Sequence, residues 1–186
     1  MKAVLISIQP KWCELITSGE KTVEVRKTKP KLETPFKVYI YCTKGKFEPH
    51  EHLKNNLHYD DSTIKVCEAQ GKVIGEFICD NIIRIKYMGT SYRCVGLYPL
   101  ENDCIASASK LSLYDMRNYL SCNDGYAWHI SDLVIYDEPK ELGEFYHNCT
   151  QPSGTDCAIC HDRGLQKCWQ IKRAPQSWCY VMKGGE

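Results

Sequence analysis

Residues 21–27 read Lys-Thr-Val-Glu-Val-Arg-Lys, which brings an ammonium, a carboxylate and a guanidinium within six positions. The string alternates, so Val23 and Val25 take one face of a strand and Thr22, Glu24 and Arg26 the other. Arg26 offers a planar fork for a phosphate or a base edge, and Glu24 accepts from an exocyclic amine such as cytosine N4. Lys21, Lys27, Lys29 and Lys31 surround the pair with the local positive charge that phosphate contact requires. The same residues also suit an internal Glu24–Arg26 ion pair under a solvated lysine face. Were the site catalytic, Lys21 and Glu24 would form its acid–base pair, since a carboxylate serves as base or nucleophile.

Trp128 and His129 occupy successive positions of a later strand, so only one of them faces a cleft. Tryptophan stacks a base and histidine hydrogen-bonds one; Trp128, and with it Trp178, equally suits a core position. Cys149, Cys157, Cys160 and Cys168 form a C-x7-C-x2-C-x7-C array in a stretch without apolar periodicity. A CxxC with two flanking thiolates completes a tetrahedral S4 site, so the expectation is a structural zinc, with His161 or His147 able to replace one thiol. His50 and His52 have an alternate spacing but sit in a polar insertion and are expected to be exposed.

These groups need a scaffold. Residues 3–8 read as a buried strand, and Pro10 opens a short helix with Trp12, Leu15 and Ile16 on one face and Gly19 as its stop. The strand of residues 21–27 ends at Lys29-Pro30, and residues 36–42 are a further strand. Residues 44–63 read as an irregular insertion or a short helix, 71–86 as one long strand or two with a bend, and 87–108 as a loop-rich connection. Ser112 to Asp115 match a capping box ahead of a helix facing Met116, Tyr119 and Leu120. A long β segment at 126–136 and a last strand at 177–182 complete a compact, mostly β barrel with helical elaborations.

Composition bounds what this scaffold can do. At 186 residues the chain suits one domain, or one with a small appendage, and 24 basic against 23 acidic side chains exclude a uniformly basic coat. The charge is uneven: residues 1–46 hold ten basic and four acidic side chains, a local +6. The apolar run at the start is too short for a signal peptide or a membrane span, which makes the expected location cytoplasmic. The 12 cysteines then read as reduced thiols around one metal site, with Cys13, Cys42, Cys79 and Cys179 as small buried hydrophobes.

Ser18-Gly19-Glu20-Lys21-Thr22-Val23-Glu24-Val25-Arg26-Lys27, after a short helix and an N-terminal strand, resembles the hallmark of ASCH (activating-signal-cointegrator homology) domains of the PUA-like superfold. Gly125 to Leu133 is similar to a downstream strand of that family, and Pro175 to Tyr180 to the ending of its small phage and bacterial members. The resemblance implies an α+β, mostly β pseudo-barrel over residues 1–147 with a closing strand within 171–186, and the cysteine spacing adds a Cys-rich zinc-binding insertion at 148–170. It also implies a cleft beside the first helix that binds RNA or a modified nucleotide, and the residue chemistry above makes Lys21, Thr22, Glu24, Arg26, Lys27, Lys29, Trp128, His129 and Trp178 the expected contacts of a basic cleft. Some members hydrolyse N4-acetylated cytidine with a Lys-Thr-x-Thr-x-Arg string. Here Lys21 and Arg26 match, but Glu24 stands at the second threonine, and Thr22 lies roughly 7 Å away along a strand. A small hydrolase acting on acylated cytidine-like nucleosides or on RNA is therefore the alternative function, and a protein-interaction adaptor built on the zinc loop the third.

Overall fold

The computed structural model describes residues 3–45, 66, 68–95, 102–147 and 170–183. Its centre is Ala3–Ile8 (β1), apolar except for Ser7 and buried throughout, as a strand covered on both faces must be. β1 runs parallel to Phe36–Cys42 (β3) and antiparallel to Trp178–Lys183 (β10), so the two ends of the chain meet side by side. Between them lie the helix Pro10–Thr17 (α1), with proline at its start, and the short strand Val23–Arg26 (β2). Gly19, at φ +77°, supplies the left-handed turn that reverses the chain out of α1.

The two long β segments each break in the middle. Residues 71–86 divide into Val73–Cys79 (β4) and the first part of Ile82–Tyr87 (β5); residues 126–136 fall in Gly125–His129 (β7) and Ser131–Lys140 (β8). β4 and β8 join a six-stranded sheet, and β5 and β7 a four-stranded one. The apolar pattern runs unbroken through both corners because each strand keeps an inner face as it changes sheet; the corners are marked only by Asp80-Asn81 and by Asp132 at φ +46°. Residues 87–108 hold more than a loop. Tyr92–Val95 (β6) forms a hairpin with β5, and Asn102–Ser109 (α2) is a helix whose small residues gave no amphipathic signal. The helix Leu113–Leu120 (α3) starts as expected: Ser112 Oγ accepts from the Asp115 N–H and the Asp115 carboxylate accepts from the Ser112 N–H.

The sheet orders are β8-β4-β3-β1-β10-β9, where β9 is Phe145–His147, and β2-β7-β5-β6. The fold is thus α+β and mostly β, of the kind the resemblance implied, but the described strands make two sheets rather than a closed barrel. The main core joins Val4, Ile6, Ile8, Phe36, Ile40, Phe77 and Trp128. Cys13, Cys42 and Cys79 are fully buried within it, and Cys179 is half-buried. Burial lifts the Cys13 thiol well above its ordinary value, Cys79 to about 12 and Cys179 to about 11, so these thiols stay protonated at neutral pH. No described helix is long and apolar enough to cross a membrane.

Candidate nucleic-acid interface

β2 is an edge strand of the smaller sheet, paired antiparallel with β7 so that Glu24 lies opposite Trp128 and Arg26 opposite Tyr126. The alternation places Val23 and Val25 in the second core, with Leu120 and Met116, while Glu24 and Arg26 face the other way. Lys21 enters the same space from the turn after α1, its backbone N–H held by the Leu15 carbonyl at 2.8 Å. The three charges then meet. Glu24 Oε1 lies 3.1 Å from an Arg26 Nη and Glu24 Oε2 lies 3.3 Å from Lys21 Nζ, with all three side chains at least nine-tenths buried.

The neighbours hold this group in place. Lys21 Nζ donates to the Ser109 carbonyl at 2.6 Å, and Arg26 donates to the Ser7 carbonyl at 2.7 Å and to Ser177 Oγ at 3.4 Å. Ser7 in turn donates through its hydroxyl to the Pro175 carbonyl, so β1, β2 and the approach to β10 are tied at one point. Within this group Arg26 Nε is buried with no hydrogen-bond partner, and Glu24 Oε2 has only its ion pair with Lys21. A buried donor like Arg26 Nε costs free energy until something satisfies it, about 1–3 kcal/mol.

The group lines the inner end of a cleft of about 530 Å³. Its walls carry Trp12 from α1 and Tyr119 from α3, with Lys11 and Gln176 also contributing. Trp12 lies under two ammonium groups, Lys11 Nζ at 4.5 Å and Lys21 Nζ at 5.3 Å from the ring centroid. Neither Trp12 nor Tyr119 stood out in the sequence as a site residue. Trp12 fell on the apolar helical face with Leu15 and Ile16, and its place in the first turn after Pro10 was the available signal. Tyr119 was grouped with Met116 and Leu120, yet those two are buried and Tyr119 is 37% exposed at the cleft edge.

Of the expected contacts, the structure brings Lys21, Glu24 and Arg26 together; the internal ion pair and the cleft are one feature. Thr22 is exposed ahead of the strand, its backbone bonded to Ala108 and Ile130, and it does not line the cleft. Trp128 shares the Glu24 face but is 0% exposed, packed edge-on to Phe36 and against Trp178, which leaves no ring surface for a base. His129 faces the other way and pairs with Asp80 at 2.7 Å. Lys27 and Lys29 are exposed and do not line the cleft, and the half-buried Trp178 donates its indole N–H to Thr28 Oγ1, between them in the chain, at 3.0 Å. Cys149, Cys157, Cys160 and Cys168, with His161, His50 and His52, lie outside the described residues. Among the described residues no cluster of three His, Cys, Asp or Glu side chains is placed to hold a metal.

Burial holds the Lys21 ammonium below its ordinary value, against the opposing pull of Glu24 and with a smaller lowering from Arg26. Below the lowered pKa both folded and unfolded chains are charged and the cost of burial is present in full. Between that value and the unfolded one near 10.4, the unfolded chain binds more protons, so this contribution to stability rises with pH. The expected outcome is that wild type gains on Lys21→Met as pH rises through this alkaline window, measured by urea unfolding of both proteins. A difference independent of pH contradicts it.

A family model for the ASCH domain matches residues 6–116, which include Trp12, Lys21, Glu24 and Arg26. The chain belongs to the ASCH domain family. Among solved structures it is similar to ASCH from Zymomonas mobilis, at 18% identity and TM-score 0.56 over 97% of this chain and 88% of that one. A serine-to-alanine variant of the same Zymomonas mobilis protein gives 17% identity and TM-score 0.52, over 97% of this chain and 89% of that one. Its tyrosine-to-phenylalanine variant gives 18% and 0.53, over 98% and 92%. At such identities the likeness is one of ASCH fold. A comparison with curated proteins gives no match.

Proposed function

We propose that this ASCH domain is a nucleic-acid-binding module that takes one nucleotide of RNA, or a modified nucleotide, into the Lys21–Glu24–Arg26 cleft. The observation that carries the reading is the buried Lys21–Glu24–Arg26 cluster on the lining of an open cleft, in which Arg26 Nε has no hydrogen-bond partner. Glu24 is an acceptor and Arg26 a donor, and base edges present the complementary groups. Trp12 and Tyr119 supply aromatic surface for stacking, and Lys11 supplies a cation at the rim for a phosphate. A buried three-charge cluster is a poor means of stabilising a fold, because desolvation offsets most of its Coulomb energy; ligand recognition gives it a purpose.

The test is the affinity of single-stranded RNA for wild type, Glu24→Gln and Arg26→Lys. Both variants keep a polar side chain of similar length, but one loses the charged acceptor and the other the planar fork. Each is expected to weaken binding by roughly tenfold or more, the effect of one lost charge-assisted hydrogen bond. Wild-type affinity in both variants rejects the site.

A hydrolase acting on acylated cytidine-like nucleosides or on RNA is the second reading. It is favoured by the 3.3 Å approach of Lys21 Nζ to Glu24 and by the lowered Lys21 pKa, which together suit proton transfer. Turnover of N4-acetylcytidine or RNA that Lys21→Met abolishes supports it; no turnover at high protein concentration leaves binding as the function.

A further inference from the structure

Residues 27–31, Lys-Thr-Lys-Pro-Lys, leave the cleft directly after Arg26 and are fastened to four aromatic side chains in turn. Lys27 Nζ lies 5.5 Å from the Tyr119 ring, and Tyr119 is itself a cleft wall. Thr28 Oγ1 accepts from the Trp178 indole at 3.0 Å, Lys29 Nζ lies 5.8 Å from the Tyr126 ring, and the Lys31 N–H donates to the Tyr180 hydroxyl at 2.7 Å. The last three rings pack on the core, and Trp178 and Tyr180 meet edge-on at 5.4 Å between centroids. Pro30 is buried and keeps Lys29 extended. The backbone of this basic run is therefore fixed, whereas Lys27, Lys29 and Lys31 are exposed and none forms an ion pair among the described residues. Glu33 is the one acid close behind them in the chain.

We propose that this lysine run is a phosphate track, and that the ligand is accordingly single-stranded RNA of several nucleotides rather than a free nucleotide. The proposal rests on the cleft reading above and deepens it. Alternate lysines stand at most about 7 Å apart along the chain, a repeat that successive phosphates of an extended strand can follow. Tyr126, Trp178 and Tyr180 are partly exposed and put aromatic surface beside that path. A duplex does not fit the arrangement, because a base that enters the cleft has left its stack. Other exposed cations such as Lys86, Arg93 and Lys172 also form no ion pair among the described residues; the track is set apart by following Arg26 directly and by its contacts to the aromatic row.

The experiment compares a 5′-mononucleotide with a single-stranded RNA of about ten nucleotides, a length within the usual site sizes, on wild type and on Lys27→Ala/Lys29→Ala/Lys31→Ala. Wild type is expected to bind the oligonucleotide at least about tenfold more tightly, and the triple variant to lose most of that preference. Its log–log salt slope is expected to fall by about 2, at roughly 0.7 for each phosphate that a lysine no longer neutralises. Equal affinity for the two ligands, an unchanged slope in the variant, or tighter binding of a duplex overturns the track. Mononucleotide binding sensitive to Glu24→Gln then leaves the cleft reading standing, whereas no binding of either ligand rejects both.

Discussion

Glu24→Ala is expected to lower the stability of the folded chain by about 3–5 kcal/mol, the cost of removing one partner from a buried ion cluster. Without the carboxylate, the Lys21 and Arg26 charges face each other with only carbonyl and hydroxyl acceptors for company. In a domain of this size the loss corresponds to a melting temperature lower by on the order of 10 °C. Lys21→Met/Glu24→Leu/Arg26→Met is expected to behave differently. It replaces the whole cluster with apolar side chains of similar reach, which is neutral or stabilising where such clusters exist only to be tolerated. Stability near wild type combined with lost RNA binding in the triple variant assigns the cluster to recognition. A triple variant as unstable as Glu24→Ala assigns it to the fold instead. Thermal and urea unfolding of the three proteins read both outcomes.

Trp128→Ala is expected to cost about 3–5 kcal/mol as well, for a different reason. The indole is 0% exposed between Phe36 and Trp178, so its removal leaves a cavity in the main core. Its N–H has no hydrogen-bond partner, so Trp128→Phe, which deletes that donor along with some volume, is expected to cost clearly less. Trp12→Ala provides the contrast. Trp12 is only partly buried at the cleft wall, and its loss is expected to leave stability closer to wild type while weakening RNA binding by about 1–3 kcal/mol, the range for one stacked base. Equal effects of the two tryptophans on binding at matched stability contradict this division.

How the sequence shows some of this and hides the rest follows from what local pattern encodes. Alternation in residues 21–27 places Glu24 and Arg26 on one face, and Pro10, Gly19 and the Ser112–Asp115 box mark helix ends, because each acts through its own backbone. The internal ion pair is one of two readings of Glu24 and Arg26, but that pair and cleft are a single feature was not legible. The carbonyls of Ser7 and Ser109 that hold Arg26 and Lys21 come from 19 and 88 residues away, and a main-chain acceptor has no sequence signature. The sheet changes at Asp80-Asn81 and Ile130 stayed hidden for the related reason that apolar alternation continues through a corner. α2 was missed because Ser, Ala and Cys dominate it and carry no amphipathic stripe. Trp128 illustrates the limit of periodicity: the pattern puts Trp128 and His129 on opposite faces but cannot say which of them other aromatic rings cover.

The most direct test of the cleft is to titrate short single-stranded RNA into isotope-labelled protein and follow the side-chain NMR signals of Arg26 and the tryptophan indoles. A nucleotide bound beside Glu24 is expected to shift the Arg26 Nε–H, the donor that lacks a partner in the free protein, and the Trp12 indole, while the buried Trp128 indole moves least. Saturable RNA binding that leaves Arg26 and Trp12 unshifted and perturbs a different face contradicts the assignment.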